Sequence, residues 1–292
     1  EVAGVEYELF GASIDRYTYS SEKEIPYVSY AVMDSAGAQR IWHILWSNKT
    51  ALKRKYDAVL YTAAAHMLPF SFTVPGIAIV NDCLSALFLA KKNFLYQKQI
   101  LSGLKNSMKI ITASQFISND LKNLGIDASK IEVIYNGINH SSFYPHPLAN
   151  SDTVTIKPFA IKRPYLIYAT RMNTPQKKHI ELIRAFTAFK EKTHLPHRLV
   201  LTGGNDACTA ALQKEVSKSS AVSDIFLTGF FPPESFPDLY SGAEACVFPA
   251  VNEGVGLPVI EAMATGIPVA CADSGALREI TGGNAVFFDP DN

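Results

Sequence analysis

Two carboxylates flank a glycine-rich turn near the C-terminus of the chain. Glu253 and Glu261 lie in NEGVGLPVIEAMATGIPVA, residues 252–270, around Gly254, Gly256 and a short apolar run typical of a helix. Backbone N–H groups and the dipole of a helix start favour an anion such as phosphate. Because carboxylates repel phosphate, we expect these two to bind neutral hydroxyls of a hexose or a ribose. The alternative is that each merely complements the helix dipole.

Cations follow an earlier strand-like run, in YLIYATRMNTPQKKHIELIRAF. Arg171 stands at the end of that run, and Lys177 and Lys178 precede the next helix-like stretch. A guanidinium at a strand end is well placed for bidentate contact with phosphate. We assign Arg171 and Lys177 to an anionic ligand and Lys178 to a solvated surface.

The same glycines also permit a dinucleotide-binding interpretation. GVGLPV approaches the fingerprint of such sites, and Asp273 follows a strand-like run at about the spacing, roughly 20 residues, of a ribose-binding acid. The third small residue of the fingerprint is replaced by Val259, however, and the motif lies near the end of the chain. A dehydrogenase is therefore the weaker hypothesis.

Composition excludes several classes of protein. The 292 residues are 48% hydrophobic, and 27 basic residues balance 27 acidic ones, so no overall charge favours nucleic acid. Four cysteines lie far apart without a CxxC pair, which favours reduced thiols in a cytoplasmic protein; they are Cys83, Cys208, Cys246 and Cys271.

Short β-branched or aromatic runs alternate with amphipathic stretches, which predicts an α/β fold with parallel sheets. Strands are expected at YELFG, DAVLYT, GIAIVN, KIITAS, IEVIYN, YLIYAT, RLVLTG, DIFLTG, ACVFPA, PVACAD and AVFFD. Residues 58–81 carry no charge, but Pro69, Pro75 and Gly76 divide them into two strands, which argues against a membrane span.

Two domains follow more naturally than one from the number of these runs. The proline-rich residues 140–164 resemble an interdomain linker, so we place the boundary near Arg163, with domains at 1–163 and 164–292. Tandem α/β domains predict a ligand cleft between the carboxyl ends of their strands.

Three segments in the right order resemble the retaining glycosyltransferases of family 4. NEGVGLPVIEAMATGIPVACADSGALREI resembles the family's E-x7-E signature, RMNTPQKKHIELIRAF its phosphate-binding segment, and TASQFISNDLKNLGIDASKIEVIYNGINHSSFYP the close of its N-terminal domain. The similarity runs from about Tyr56 to the C-terminus. It implies a GT-B fold, two Rossmann-like domains facing a central cleft, with a nucleotide-sugar donor and no metal. The family's opening strand and closing helix are not visible, so we expect a truncated chain.

The resemblance also implies roles for individual residues. Arg171 and Lys177 would neutralise the donor diphosphate and stabilise the leaving nucleotide, and Glu261 would bind the ribose. Glu253 would bind the hexose hydroxyls with the help of a run of backbone, formed by Gly254, Val255, Gly256 and Leu257. The main chain near Phe231 would border the nucleobase.

The N-terminal domain departs from the family pattern where many relatives have a histidine near the reacting sugar. IAIVND has Asn81 and Asp82 there. Asn81 could bind a sugar hydroxyl and Asp82 could act on the acceptor, or either could cap the following helix. His66, a lone histidine beside apolar residues, is more readily explained by packing.

The sequence defines the donor nucleotide and the acceptor less well than it defines the fold. Pro232 and Pro233 occupy the place where some mannosyl-transferring relatives have an acid, which favours UDP over GDP as the donor nucleotide, although Glu234 could substitute. The acceptor is expected to be a saccharide or a lipid-linked saccharide. A nucleotide-sugar epimerase or hydrolase, or a non-catalytic nucleotide-sugar-binding protein, remains an alternative.

A stretch without any acid runs from Cys83 to Asn119. Its lysines alternate with apolar residues. This pattern favours peripheral attachment to the inner face of an anionic membrane. The lysines are Lys91, Lys92, Lys98, Lys105 and Lys109, and the apolar residues are Leu84, Leu87, Phe88, Phe94, Leu95, Leu101 and Leu104. An ordinary helix with a solvated lysine face would explain the same pattern.

Overall fold

The computed structural model of the protein describes residues 4–12, 26–33, 35–91, 93–145, 153–156, 159–172, 175–204 and 209–292. Contacts within the chain divide it into two compact units. The first contains Glu1–Thr112 and Asp120–Glu132, and the second contains Ala113–Asn119 and Val133–Asn292. The predicted α/β class is confirmed, while the boundary near Arg163 stays a prediction.

The first unit is built on a four-stranded sheet in the order β3-β4-β5-β6, beside a parallel pair of strands, β1 and β2. The strands are β1 (Leu9–Ala12), β2 (Tyr27–Tyr30), β3 (Val59–Tyr61), β4 (Gly76–Val80), β5 (Lys109–Thr112) and β6 (Ile131–Val133). The helices are α1 (Ala36–Leu45), α2 (Ser47–Arg54), α3 (Leu84–Lys91) and α4 (Phe94–Asn106), and the residues of α5 (Gln115–Asn123) are divided between the two units.

The uncharged stretch at residues 58–81 forms two parallel strands, as predicted. Val59 pairs with Gly76 and Tyr61 with Ala78, so β3 and β4 are neighbours in the sheet. The described helices include none that is both long and apolar enough to cross a membrane. The prolines in residues 58–81 explain why this stretch does not form a spanning helix, because proline interrupts a continuous helix.

The second unit is a doubly wound sheet of six parallel strands in the order β11-β10-β9-β12-β13-β14. The strands are β9 (Tyr165–Ala169), β10 (Arg198–Thr202), β11 (Ile225–Gly229), β12 (Ala245–Phe248), β13 (Val269–Ala272) and β14 (Val286–Phe288). The helices are α6 (His179–Thr193), α7 (Thr209–Lys218), α8 (Phe236–Gly242), α9 (Leu257–Ala264) and α10 (Leu277–Ile280). Numbered from β9, the order is 3-2-1-4-5-6, the Rossmann order.

Residues predicted as a linker instead contain a β-hairpin. β7 (Thr153–Ile156) pairs antiparallel with β8 (Phe159–Lys162), and the buried side chains of Val154 and Ile161 join the hydrophobic core of the second unit. Residues 146–152 and 157–158 of this stretch lie outside the described residues. The many prolines of this stretch therefore did not predict its structure correctly, because each strand has only four residues, too few for its hydrophobic pattern to indicate a strand.

Three of the four cysteines fit the prediction of buried, reduced thiols. Cys83, Cys246 and Cys271 are free and buried. Burial raises the pKa of the Cys246 thiol to about 12, which suppresses the reactive thiolate. Cys208 lies outside the described residues.

Candidate donor-binding and N-terminal sites

The second unit brings the predicted donor-binding residues to the switch point of its sheet. β9 pairs with β10 on one side and β12 on the other, so the chain leaves the ends of β9 and β12 in opposite directions. Arg171 follows β9, and Glu253 lies in the loop after β12. Ligands of doubly wound sheets bind in the crevice outside the carboxyl ends of the strands at such a point.

Lys177 and Glu253, 76 positions apart, form an ion pair at this point. Nζ of Lys177 lies 2.7 Å from Oε2 of Glu253, and both side chains are largely shielded from solvent, with 24% and 15% exposed. The other carboxylate oxygen accepts a hydrogen bond from the backbone N–H of Gly256, at 3.4 Å. The hydroxyl of buried Tyr168 donates to the carbonyl of Lys177 at 2.7 Å. Two predicted site residues are thus held together by packing.

Backbone hydrogen bonds fix the loop that carries Glu253. The N–H of Ala276 donates to the carbonyl of Glu253 at 2.8 Å, and Gly275 before it has φ +65°. A Cβ atom on Gly275 would lie 2.4 Å from that same carbonyl oxygen, so glycine is needed for the close approach. The hydroxyl of Ser114 donates to the carbonyl of Gly254 at 2.8 Å. The loop is therefore a constrained element.

The helix within the E-x7-E segment has no side-chain cap at its start among the described residues. α9 begins at Leu257, with Gly256 as its N-cap at φ +63°, and no described side chain caps it. Pro258 lies in the first turn, as predicted, and Gly266 follows the helix at φ +83°. Val255 is half-buried and Leu257 is exposed. This backbone is the part of the site suited to an anion or to sugar hydroxyls.

Glu261 lies inside α9 and contacts Tyr240, a residue that no sequence motif indicates. The hydroxyl of Tyr240, from α8, donates to Oε2 of Glu261 at 3.2 Å. Burial raises the pKa of the Glu261 carboxyl, and the hydrogen bond from Tyr240 opposes that shift. Tyr240 is fully buried, and burial raises its own pKa well above its usual value. No pattern in FPDLYSGAEA distinguishes Tyr240 from an ordinary core tyrosine.

The two remaining cations of the predicted segment behave differently from Lys177. Arg171 is exposed, and its guanidinium makes no hydrogen bond or ion pair with any described residue. Lys178 donates to Oδ1 of Asp291 at 2.7 Å, and its side chain is 18% exposed, so its assignment to a solvated surface stays a prediction. Of the three cations, Arg171 is thus the one without an ion-pair partner among the described residues.

The side chain of Phe231 lies in the core rather than in an open site. It is buried against Phe159, with 5.5 Å between ring centroids. The adjacent Phe230 is 71% exposed. The prediction concerned the main chain at this point, so the burial of the side chain leaves it a prediction.

The first unit places its predicted residues at the carboxyl ends of β3 and β4. Asn81 and Asp82 are exposed directly after β4, and Nε2 of His66 lies 3.6 Å from Oδ2 of Asp82. Burial lowers the pKa of His66, and Asp82 opposes that shift. The carboxylate of Asp120, rather than either predicted residue, accepts the N–H of Ser85 at the start of α3, at 3.2 Å. The capping alternative for Asn81 and Asp82 is therefore wrong.

The dinucleotide-binding interpretation conflicts with the topology. Its glycine fingerprint belongs after the first strand of a Rossmann sheet, whereas GVGLPV follows β12, the fourth. Asp273, the supposed ribose-binding acid, pairs with Arg278 at 2.5 Å. Within the described ranges, no group of three or more His, Cys, Asp or Glu side chains could hold a metal ion. Metal independence itself stays a prediction.

Some of the apolar residues predicted for a membrane-facing surface are buried, and others are exposed. Leu84, Phe88 and Leu104 are buried in the core, so the prediction that they belong to this surface is wrong. Phe94 and Leu95 are each 73% exposed. Leu89, which the sequence analysis did not single out, is 75% exposed, while Lys92 lies outside the described residues. We call Leu89, Lys91, Phe94, Leu95 and Lys98 the α3–α4 surface.

Comparisons with known proteins agree with these observations. Residues 3–142 match the family model described as Glycosyltransferase Family 4, and residues 163–292 match the model described as Glycosyl transferases group 1. HepE from Anabaena, solved in complex with UDP and glucose, superimposes with a TM-score of 0.69 at 19% identity, over 91% of this chain and 73% of that chain. The fold is therefore GT-B.

Two curated relatives are similar in sequence. O-antigen chain mannosyltransferase B of Escherichia coli is 27% identical over 67% of this chain and 51% of its own length. O-antigen chain mannosyltransferase RfbU of Salmonella typhimurium is 26% identical over 65% of this chain and 49% of its own length. The chain thus spans about half the length of these relatives. Together, the two family models, which between them cover most of the chain, and these relatives establish that it belongs to glycosyltransferase family 4.

Proposed function

We propose that the protein transfers a hexose from a nucleoside diphosphate sugar to a saccharide or lipid-linked saccharide acceptor, with retention of the anomeric configuration. The observation that carries this proposal is the Lys177–Glu253 ion pair at the switch point of the second sheet, 2.7 Å long and beside the start of α9. A cation for phosphate and a carboxylate for hydroxyls are thereby held side by side, as a sugar joined to a diphosphate requires.

The donor diphosphate would be bound by Arg171, Lys177 and the start of α9. The guanidinium of Arg171 is exposed and has a bidentate geometry suited to phosphate oxygens. As the bond between sugar and phosphate breaks, negative charge grows on the leaving diphosphate, and these fixed cations stabilise it. The proposal needs no metal, because the two side chains supply the positive charge.

The sugar and the ribose would be bound by the two carboxylates. Glu253 keeps one oxygen near Gly256 and one near Lys177, so its charge is already offset when the anionic donor arrives. Glu261 would accept hydrogen bonds from the ribose hydroxyls, oriented by Tyr240. This arrangement explains why acids lie beside a helix start that attracts anions: their lone pairs bind hydroxyls while Lys177 offsets part of their charge.

In the first unit, Asn81 would hydrogen-bond a sugar hydroxyl and Asp82 would act on the acceptor. Both are exposed at the end of β4 and neither is used to cap α3. Asp82 would accept a hydrogen bond from an acceptor hydroxyl, while His66, whose pKa is lowered by burial, stays neutral beside it.

The choice of donor base and hexose rests on the sequence after β11 and on the similar proteins. The prolines at 232 and 233 favour UDP, and a structural neighbour was solved with UDP and glucose. Two relatives are named as mannosyltransferases, which keeps mannose as a candidate hexose. We therefore place UDP first and GDP second.

Attachment to an anionic bilayer belongs to the same proposal for lipid-linked acceptors. The exposed apolar residues of the α3–α4 surface lie beside Lys91 and Lys98, the combination that favours an interface with anionic lipid. Sedimentation with anionic vesicles should exceed that with neutral ones, and F94S/L95S should abolish the difference. Equal, negligible pelleting with both vesicles would reject attachment.

Thermal unfolding with UDP, GDP, ADP and NAD tests the donor site first. Saturation at about 100 times Kd should add roughly 2.7 kcal/mol to the free energy of unfolding. A response to UDP or GDP that is lost in Glu261→Ala supports the proposal, and a response to NAD alone rejects it. Glu253→Ala should then cut transfer while largely sparing nucleotide binding. Donor cleavage without acceptor would instead indicate a hydrolase, and binding without turnover a non-catalytic protein.

A further inference from the structure

A cluster of charged residues in the first unit surrounds one buried tyrosine. The guanidinium of Arg40 lies 4.5 Å from the centroid of the Tyr96 ring, and the ammonium of Lys91 lies 4.7 Å from it. The Tyr96 hydroxyl donates to the carbonyl of Ala65 and lies 3.5 Å from Nδ1 of His66. Residues from α1, α3, α4 and the loop after β3 thus converge on a single ring.

The position of Arg40 is fixed by the core. Its Nε atom donates to Oε1 of Gln99 at 2.6 Å, and Nε2 of Gln99 donates to the carbonyl of Leu68 at 2.6 Å. Gln99 is only 1% exposed, so the amide cannot turn away without losing buried hydrogen bonds. A guanidinium held in this way is oriented in advance for a ligand.

The cations of this cluster are not neutralised by carboxylates. Neither Arg40 nor Lys91 has a carboxylate within 4.0 Å in the part of the chain that the structure describes. Asp82 is the nearby acid, and it lies 3.6 Å from His66 instead. Two cations against one carboxylate leave one positive charge in surplus at the carboxyl edge of a parallel sheet, where ligands of α/β folds bind.

The geometry points to a phosphate-binding site formed by Arg40 and Lys91 beside the Tyr96 ring, next to Asp82. This inference rests on the proposed function and deepens it, because it assigns a phosphate group to the acceptor whose hydroxyl Asp82 would contact. A guanidinium and an ammonium together match the charge and the oxygen geometry of phosphate. The phosphate could belong to a soluble sugar phosphate or to a lipid headgroup.

Glucose 6-phosphate, with glucose as the neutral control, tests the site by ³¹P NMR and calorimetric titration. Arg40→Gln and Lys91→Gln should each weaken binding of glucose 6-phosphate by about tenfold, as loss of a charge-assisted contact predicts. Lys53→Gln, the same charge change at an exposed lysine of α2, should not. Lys91 is exposed, so its variant is expected to fold even if Arg40→Gln does not.

A second arm identifies the source of the phosphate. Pelleting with phosphatidic acid vesicles that depends on Arg40 and Lys91, without binding of glucose 6-phosphate, assigns a lipid headgroup; the reverse assigns a soluble phosphate. If neither probe depends on these residues, or if only Lys177→Met abolishes binding, the site does not exist. Titration of UDP and GDP into the same proteins decides the donor proposal separately, so the two can fail independently.

Discussion

The ammonium of Lys177 and the carboxylate of Glu253 lie 2.7 Å apart, joined across 76 positions of sequence. Lys177 ends a 3-10 turn, Pro175–Lys177, and the carbonyl of Gln176 in that turn accepts the N–H of Val251 at 2.9 Å. The turn after β9 and the loop after β12 are therefore tied by backbone as well as by charge. A ligand that entered here would meet both signs of charge within one hydrogen-bond length.

Removing the cation of this pair should weaken nucleotide binding. In Lys177→Met the diphosphate loses one charge-assisted contact and meets Glu253 without its partner, so we expect Kd for UDP or GDP to rise at least tenfold. Lys178→Met is the matched control, since it makes the same charge change at the next residue, whose ammonium pairs with Asp291 rather than with Glu253. Calorimetric titration of both variants checks this, and equal affinities would contradict the role of Lys177.

Ionisation of Glu261 should couple stability to pH. Burial raises the pKa of this carboxyl in the folded protein, so the folded state holds the proton more tightly than the unfolded chain. The free energy of unfolding therefore falls as pH rises from the unfolded value, about 4.3, through the folded value. Glu261→Gln should raise Tm relative to the parent at pH 7.5 but not at pH 4.

The same variant should bind nucleotide less well, because an amide accepts fewer hydrogen bonds from ribose hydroxyls than a carboxylate. Tyr240→Phe removes the hydrogen bond that favours the charged carboxylate, so the pKa of Glu261 should rise further. Nucleotide affinity measured against pH should then fall off at a higher pH in Tyr240→Phe than in the parent. An unchanged profile would mean that Tyr240 does not orient Glu261.

Gly275 should be sensitive to a single methyl group. Alanine there must keep φ near +65° and would bring Cβ within 2.4 Å of the Glu253 carbonyl oxygen, so we expect a loss of about 2 kcal/mol or more in the free energy of unfolding. Gly204→Ala is the control, because a Cβ atom at that position would meet no described atom within 4 Å and the change in stability should stay within about 0.5 kcal/mol. Urea denaturation of both variants checks the difference.

Alanine variants of two aspartates in the first unit should differ in their effects on stability and on sugar transfer. Asp120→Ala removes the acceptor for the N–H of Ser85 and should cost about 1 kcal/mol of stability. Asp82→Ala should change stability by less than about 0.5 kcal/mol yet reduce transfer, since its exposed carboxylate caps nothing. Full transfer by Asp82→Ala would remove Asp82 from the acceptor site.

Local sequence was enough to establish the α/β class, the predicted strands and the residues of the E-x7-E segment. These follow from causes that act over short distances: β-branched runs, proline and glycine punctuation, and spacing along one helix. The helix start at Leu257 was predictable for the same reason, because glycine before it and proline within its first turn act over a few residues.

Which of those residues meet was settled by the fold of the whole chain. The pairing of Lys177 with Glu253, the contact of Tyr240 with Glu261 and the gathering of Arg40 and Lys91 around Tyr96 all join distant segments. Such contacts depend on sheet order and on how helices pack against it, and packing leaves no period in the sequence. A tyrosine in a core position and a tyrosine that orients a carboxylate therefore look alike until the fold brings their neighbours together.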